Sequence, residues 1–165
     1  MNKTIITIIM VIAVIGGLLW WGKSIQKSPT VGADTGKKSA LVSSENIYDF
    51  GTISMKNGDV TKEFTVTNSS AGDMYFPSLE TSCMCTKAFM VGLDGTAKGP
   101  FGMPGMGYVP SLNETIKAGE SRVIRVVYDP NAHGPAGVGQ INRFVTLTDK
   151  SGGQLQLEIK ALVTP

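Results

Sequence analysis

Two cysteines, Cys83 and Cys85, are the only ones in this 165-residue chain, and they stand two positions apart in Thr81-Ser82-Cys83-Met84-Cys85-Thr86. On an extended strand, the two-residue side-chain period puts both sulfurs on one face. Such a pair has three chemistries open to it. It is a soft-metal half-site, a dithiol that exchanges with disulfides, or a local disulfide. The last needs backbone distortion, because on a straight strand the two Cα atoms lie at the far end of the range a disulfide spans. Met90, Met103 and Met106 follow, and His133 is the single histidine. A ligand set of Cys83, Cys85, Met103, Met106 and His133 is soft and selects Cu(I). Zinc takes about four Cys, His or carboxylate ligands, and methionine is not among them. Met84, on the opposite strand face from its flanking cysteines, is the weakest ligand of the group. In a non-metal reading the cysteines are small buried side chains, and the loop methionines with Phe101 cover an apolar patch or meet a partner.

Other chemistry finds little support. One histidine permits a single kind of Cys–His combination, and no Gly-x-Ser-x-Gly, His-Glu-x-x-His or phosphate-cradling glycine motif occurs. Asp49, Glu80 and Asp129 fall beside expected strand ends, where acidic side chains stabilise turns. Thiol exchange lacks the Cys-x-x-Cys of thioredoxin-like proteins. The formal net charge is +2. From Ser28 onward 12 Lys+Arg face 13 Asp+Glu, a net of −1, so the basic excess sits in the first residues. There is no basic stripe of the kind that binds nucleic acid.

The elements that must position these residues begin with a membrane segment. Thr4 to Gly22 is nineteen residues without a charge, mostly Ile, Val, Leu, Met, Ala and Gly. As a helix it would be about 28 Å long, close to the ~30 Å hydrocarbon core of a bilayer. Trp20 and Trp21 close the run at the depth of an aromatic belt, followed by Lys23 and Lys27. Residues 1–22 are therefore expected to form an uncleaved transmembrane signal-anchor, with the chain single-pass in the cell membrane and the domain outside the cytoplasm. Residues 23–44, rich in Ser, Thr, Gly and Lys, read as a flexible tether.

From residue 45 the texture is β. Val60 to Asn68 alternates apolar and polar residues and stops at Ser69-Ser70-Ala71-Gly72-Asp73. Met74-Tyr75-Phe76, Ser121 to Tyr128, Asn142 to Thr148 and Gln154 to Val163 read as further strands. The last puts Leu155, Leu157, Ile159, Ala161 and Val163 on one face, and Asp149-Lys150-Ser151-Gly152-Gly153 supplies the turn before it. Short strands with frequent turns predict a β-sandwich of about seven strands over residues 45–165. Val91 to Leu112, with six Gly and three Pro, reads as one long loop, and Asn131 to Gly139 as a shorter one.

Several of these residues, in this order, resemble a bacterial family of unknown function, domain of unknown function 1573. They are Asp49-Phe50-Gly51-Thr52-Ile53, Phe64-Thr65-Val66-Thr67-Asn68 and Thr81-Ser82-Cys83-Met84-Cys85-Thr86, then Ile116 to Ser121 and Val126 to Pro130. The resemblance covers Glu45 to Val163. It implies an immunoglobulin-like β-sandwich, similar to major-sperm-protein and cilia-associated Ig-like domains, most of which are scaffolds and binding modules. It implies no reaction. Family members usually carry Gly between the two cysteines, where this chain has Met84, and the insertion after Phe89-Met90 is longer than theirs.

The function expected from these observations is a membrane-tethered, extracytoplasmic Ig-like binding or scaffold module without catalytic activity. Its partners would be the membrane, through the N-terminal helix, and a protein of the cell envelope. A Cu(I) site at the Cys-x-Cys pair and Met-rich loop is the alternative, and a thiol redox partner the second alternative.

Overall fold

The computed structural model describes residues 37–165. The signal-anchor expected at residues 1–22 and most of the expected tether lie outside the described residues. Among the described residues no helix is long and apolar enough to cross a membrane. The regular structure is all β apart from two short 3-10 turns, Met55–Asn57 and Gly134–Gly137. The strands are Leu41–Ser43 (β1), Ile47–Ser54 (β2), Val60–Asn68 (β3), Met74–Phe76 (β4), Ser78–Thr81 (β5), Thr86–Val91 (β6), Ala97–Phe101 (β7), Glu114–Ile116 (β8), Ser121–Tyr128 (β9), Gly139–Thr148 (β10) and Gln154–Thr164 (β11).

They form a sandwich. One sheet has the order β1-β3-β9-β6-β7 and the other β2-β11-β10-β5, with β4 and β8 paired as a small ribbon. Pairing is antiparallel except between β2 and β11, which run parallel across an irregularity between Lys160 and Leu162. On β3, β9 and β11 buried positions alternate with more exposed ones, and the buried phase is mainly apolar. Phe64 and Val66 of β3 and Ile124, Val126 and Tyr128 of β9 meet Leu79 of β5, Val145 and Leu147 of β10, and Leu157 and Ile159 of β11 in one buried cluster. The alternation read from Val60–Asn68, Ser121–Tyr128 and Gln154–Val163 is therefore the core pattern itself.

Three features depart from the sequence expectation. The segment from Val91 to Leu112 is not one unbroken loop, because Ala97–Phe101 forms β7 against β6. Glycine and proline hid this strand. It lies at a sheet edge, where Pro100 has no ladder donor to supply. Secondly, ordered structure reaches into the segment expected to be tether: Leu41–Ser43 pairs with β3, and Leu41 is buried. Thirdly, the sandwich has more and shorter strands than about seven, since β4, β5 and β8 are three- or four-residue pieces.

The hairpin joining β10 to β11 also fastens that early segment. Asp149 is buried at its turn. One carboxylate oxygen accepts from Ser151 N at 2.7 Å, Ser151 Oγ at 2.6 Å and Gly153 N at 3.0 Å. Gly152 holds the left-handed conformation, φ +81°, that the turn needs. Beside it, Gln154 N donates to Lys37 O and Ser39 N to Gln154 O. Burial raises the Asp149 pKa, but the hydrogen bonds from Ser151, Gly153 and Ser39 outweigh it and hold the carboxyl below its ordinary value. The folded-state value thus lies below the unfolded one, roughly 3.9. The stabilisation is present above that value and is lost as pH falls through the folded-state value. In acid unfolding monitored by circular dichroism, Asp149→Asn is expected to flatten the fall in stability below about pH 4 relative to the native chain. Superimposable acid limbs would show that the carboxylate contributes nothing.

Candidate functional site

The chain leaves one sheet at Thr81, the end of β5, and enters the other at Thr86, the start of β6. Ser82 to Cys85 make this passage as a turn, not as a strand. Thr86 N donates to Cys83 O at 3.1 Å, closing it. This corrects the expectation of an extended Cys-x-Cys with both sulfurs on one strand face. The turn shortens the span between Cys83 and Cys85 to a Cα–Cα distance of 5.2 Å. Two steps of extended chain would cover about 6.6 Å. The shortened span is inside the ordinary disulfide range, and the two sulfurs are bonded as a disulfide. Met84, at the tip of the turn, is 49 % exposed while its neighbours are buried.

Three elements fix the turn. From within, the buried Thr81 places its hydroxyl 3.1 Å from both Cys83 O and Thr86 O. From β10, Ser82 N donates to Phe144 O at 2.9 Å and Phe144 N donates to Ser82 Oγ at 2.9 Å. From the end of β9, Asp129 N donates to Cys85 O at 2.9 Å. The same β9 end starts the loop that carries His133. Asp129 caps it by accepting from Asn131 N at 2.8 Å, and Asn131 Nδ2 ties it to Met55 O.

Two side chains reach the sulfurs. His133 Nε2 lies 3.1 Å from Cys83 Sγ. Arg143 Nε donates to Cys85 Sγ at 3.2 Å. The ligand atoms of Cys83, Cys85 and His133 all lie within 4.8 Å of one another, with the cysteines buried and the histidine exposed. The Arg143 charge also reaches Tyr128, the last residue of β9. Burial pushes the Tyr128 phenol up, Arg143 pulls it down, and Asp129 pushes it up again. The site is thus a cystine between an imidazole and a guanidinium, at the end of the sandwich where β5, β6, β9 and β10 meet.

Of the residues singled out in the sequence, Cys83, Cys85 and His133 are brought together. Met103 is half-buried and Met106 is 57 % exposed. The described contacts include none between their thioethers and the cysteines. Their loop nevertheless begins beside the site. Thr81 N donates to Gly102 O at 3.1 Å, and Leu112 N donates to Pro77 O at 2.9 Å. The segment between therefore spans the free edge of β5, pinned near both ends of that strand.

No family profile matches the chain, and no curated protein is similar to it. Solved structures are similar in fold. A protein of unknown function from Porphyromonas gingivalis W83 is 15 % identical with a TM-score of 0.54, the match covering 82 % of this chain and 51 % of that one. The VesB protease of Vibrio cholerae is 16 % identical with a TM-score of 0.47, covering 74 % and 32 %. The ASH/PapD-like domain 7 of human CEP192 is 11 % identical with a TM-score of 0.46, covering 77 % and 87 %. The chain thus spans about half of the first protein and a third of the second. The likeness to the first is one of fold.

Arg143 was missed in the sequence, although a signal was present. Ile141, Val145 and Leu147 are the inward phase of β10, and Arg143 falls on that same phase. A charge at a core-facing position is costly unless something pairs with it. Thr81 likewise occupies the inward phase of β5, beside Leu79.

The cystine is too local to be an important staple. The chain-entropy relation for a loop of about three residues gives roughly 1.6 kcal/mol. A single Leu→Ala change in the core costs about 2–5 kcal/mol. Intact-mass measurement of the untreated protein is expected to fall short of the reduced protein by the mass of two hydrogen atoms. In urea unfolding, Cys83→Ala/Cys85→Ala is expected to lose no more than about 2 kcal/mol. A loss comparable to a core truncation would make the cystine a structural brace.

Proposed function

We propose that this chain is an Ig-like binding module, tethered to the cell membrane outside the cytoplasm, which engages another envelope protein and performs no catalysis. The observation that carries the reading is the segment between β6 and β8. It exposes Leu93 (75 %), Met106 (57 %) and Tyr108 (91 %), more large apolar surface than any comparable stretch of the described chain. Methionine and tyrosine suit such a role, the first because it adapts its shape, the second because it presents a rigid area with a polar tip. The tether and anchor come from the sequence: nineteen uncharged residues close to bilayer thickness, then a polar run. A cystine in the domain fits an oxidising compartment. The motif order Asp49-Phe50-Gly51, Phe64 to Asn68 and Cys83-Met84-Cys85-Thr86 supports placing the domain with the family of unknown function 1573.

A photo-crosslinking residue at Tyr108, introduced in living cells, is expected to trap a protein that the same residue at Lys56 does not. With that protein purified, Met106→Ser/Tyr108→Ser should weaken binding about tenfold or more, the range of interface anchors. Absence of a position-specific product, or unchanged affinity of the double variant, would refute the contact. Topology is read separately: a membrane-impermeant maleimide should label Asp59→Cys on intact cells. Labelling only after lysis would put the domain inside.

A further inference from the structure

We propose that the reduced Cys83–Cys85 pair, with His133, is a binding site for a soft monovalent metal ion, copper(I), and that the disulfide is the closed state of that site. This goes beyond the protein-contact reading and stands independently of it, since the loop and the cluster use different residues.

The three donor residues are already gathered. Two sulfurs and one imidazole nitrogen converge within 4.8 Å from two separately anchored elements, the crossover turn and the loop after β9. Cys83 Sγ already faces His133, 3.1 Å from Nε2. Thiolates and imidazole are soft and borderline donors, and thiolate favours Cu(I). Three donors suit a low-coordinate monovalent ion, whereas a structural zinc site takes four.

The charge balance points the same way. Two thiolates with a monovalent cation carry −1, and the guanidinium of Arg143, donating to Cys85 Sγ at 3.2 Å, brings the cluster to zero. A divalent cation would leave the same half-buried cluster at +1. Arg143 cannot ligate, as it has no lone pair to offer. It is a positioning residue that orients and neutralises the Cys85 thiolate, as second-shell partners do at metal sites. Cys85 is the more deeply buried sulfur, at 2 % exposure against 9 % for Cys83. The exposed His133 leaves the Cys83 side as the route of entry.

Opening the site is a two-electron step. A dithiol reductant of the envelope transfers two electrons and two protons to the disulfide. The S–S bond breaks, two thiols form, and the reductant becomes a disulfide. Binding Cu(I) then releases both thiol protons and forms two Cu–S bonds. A protein disulfide of the envelope closes the site again: it takes two electrons from the two thiolates and two protons from solvent, and becomes a dithiol. The Cys83–Cys85 S–S bond is re-formed and the ion, still Cu(I), is released, so metal and disulfide exclude one another.

The test uses the full-length chain in detergent, reduced under anaerobic conditions, with Cu(I) supplied against a chromogenic Cu(I) chelator. One ion per chain is expected for the reduced protein and none for the oxidised protein. Bound Cu(I) should protect both thiols from iodoacetamide, and an equal concentration of Zn(II) should not. His133→Ala and Arg143→Gln should each weaken binding about 10–100-fold, the range for lost second-shell and single-ligand support. Circular dichroism confirms that each variant is folded. The alkylation-protection assay on the native chain needs no variant at all. Failure of the reduced native chain to compete with the chelator, protection by Zn(II) as good as by Cu(I), or Cu(I) binding that survives Cys83→Ser/Cys85→Ser would each overturn the proposal.

Discussion

Everything distinctive in this domain depends on how the chain crosses from one sheet to the other between β5 and β6. Four residues, Ser82 to Cys85, make the passage. A crossing this short cannot remain extended, since the strands it joins belong to opposed layers. It must turn, and a turn between layers buries backbone groups that need partners. Phe144, Asp129 and the Thr81 hydroxyl supply them. Once the turn is fixed, the side chains at its first and last corners point the same way and their Cα atoms stand 5.2 Å apart. The proximity of the cysteines is a consequence of sandwich topology rather than of a strand's side-chain period.

The surroundings of the sulfurs follow from the same crossing. β10 lies beside the turn through Phe144, so the preceding residue on that strand, Arg143, is delivered to Cys85. The end of β9 lies beside it through Asp129, so the loop that starts there delivers His133 to Cys83. A guanidinium on the inward phase of a strand would ordinarily be a defect. Here its partner is a sulfur that is anionic as a metal-bound thiolate, so in the proposed copper-bound state the arginine's charge is compensated most fully. The entropic contribution of so short a loop, roughly 1.6 kcal/mol, is small beside the core. Stability alone therefore gives little reason to keep a cystine flanked by both a cation and an imidazole.

Much of the sandwich was legible in the sequence because period-two burial leaves a direct trace. Val60–Asn68, Ser121–Tyr128 and Leu155 to Val163 could be read residue by residue. What could not be read was set by non-local pairing. β7 carries Gly99-Pro100 and lies in a glycine-rich stretch, so its composition resembles a loop, and only its pairing with β6 makes it a strand. β1 is three residues of weak pattern, held because Leu41 enters the core and β3 offers a free edge. Cys83, Cys85 and His133 were visible as residue types, but their meeting depends on two turns fifty residues apart in sequence. Arg143 was the one missed participant whose signal, a charge in an apolar phase, lay within its own strand.

The long insertion after β7 has a structural duty that separates backbone from side chains. An exposed sheet edge invites pairing with other chains, and proteins cover or interrupt such edges. β7 carries its own interruption in Pro100. β5, the edge of the other sheet, has none, and the insertion covers it through Gly102 O and Leu112 N. Those two anchors are backbone groups. The covering role therefore restricts chain path and length between them but says little about which side chains the segment bears. If edge protection were the whole purpose, polar residues would serve it better, since they add no apolar surface to water. The segment instead exposes Met106 and Tyr108. In the proposed reading, those residue types face a partner surface that accepts a thioether and an aromatic ring.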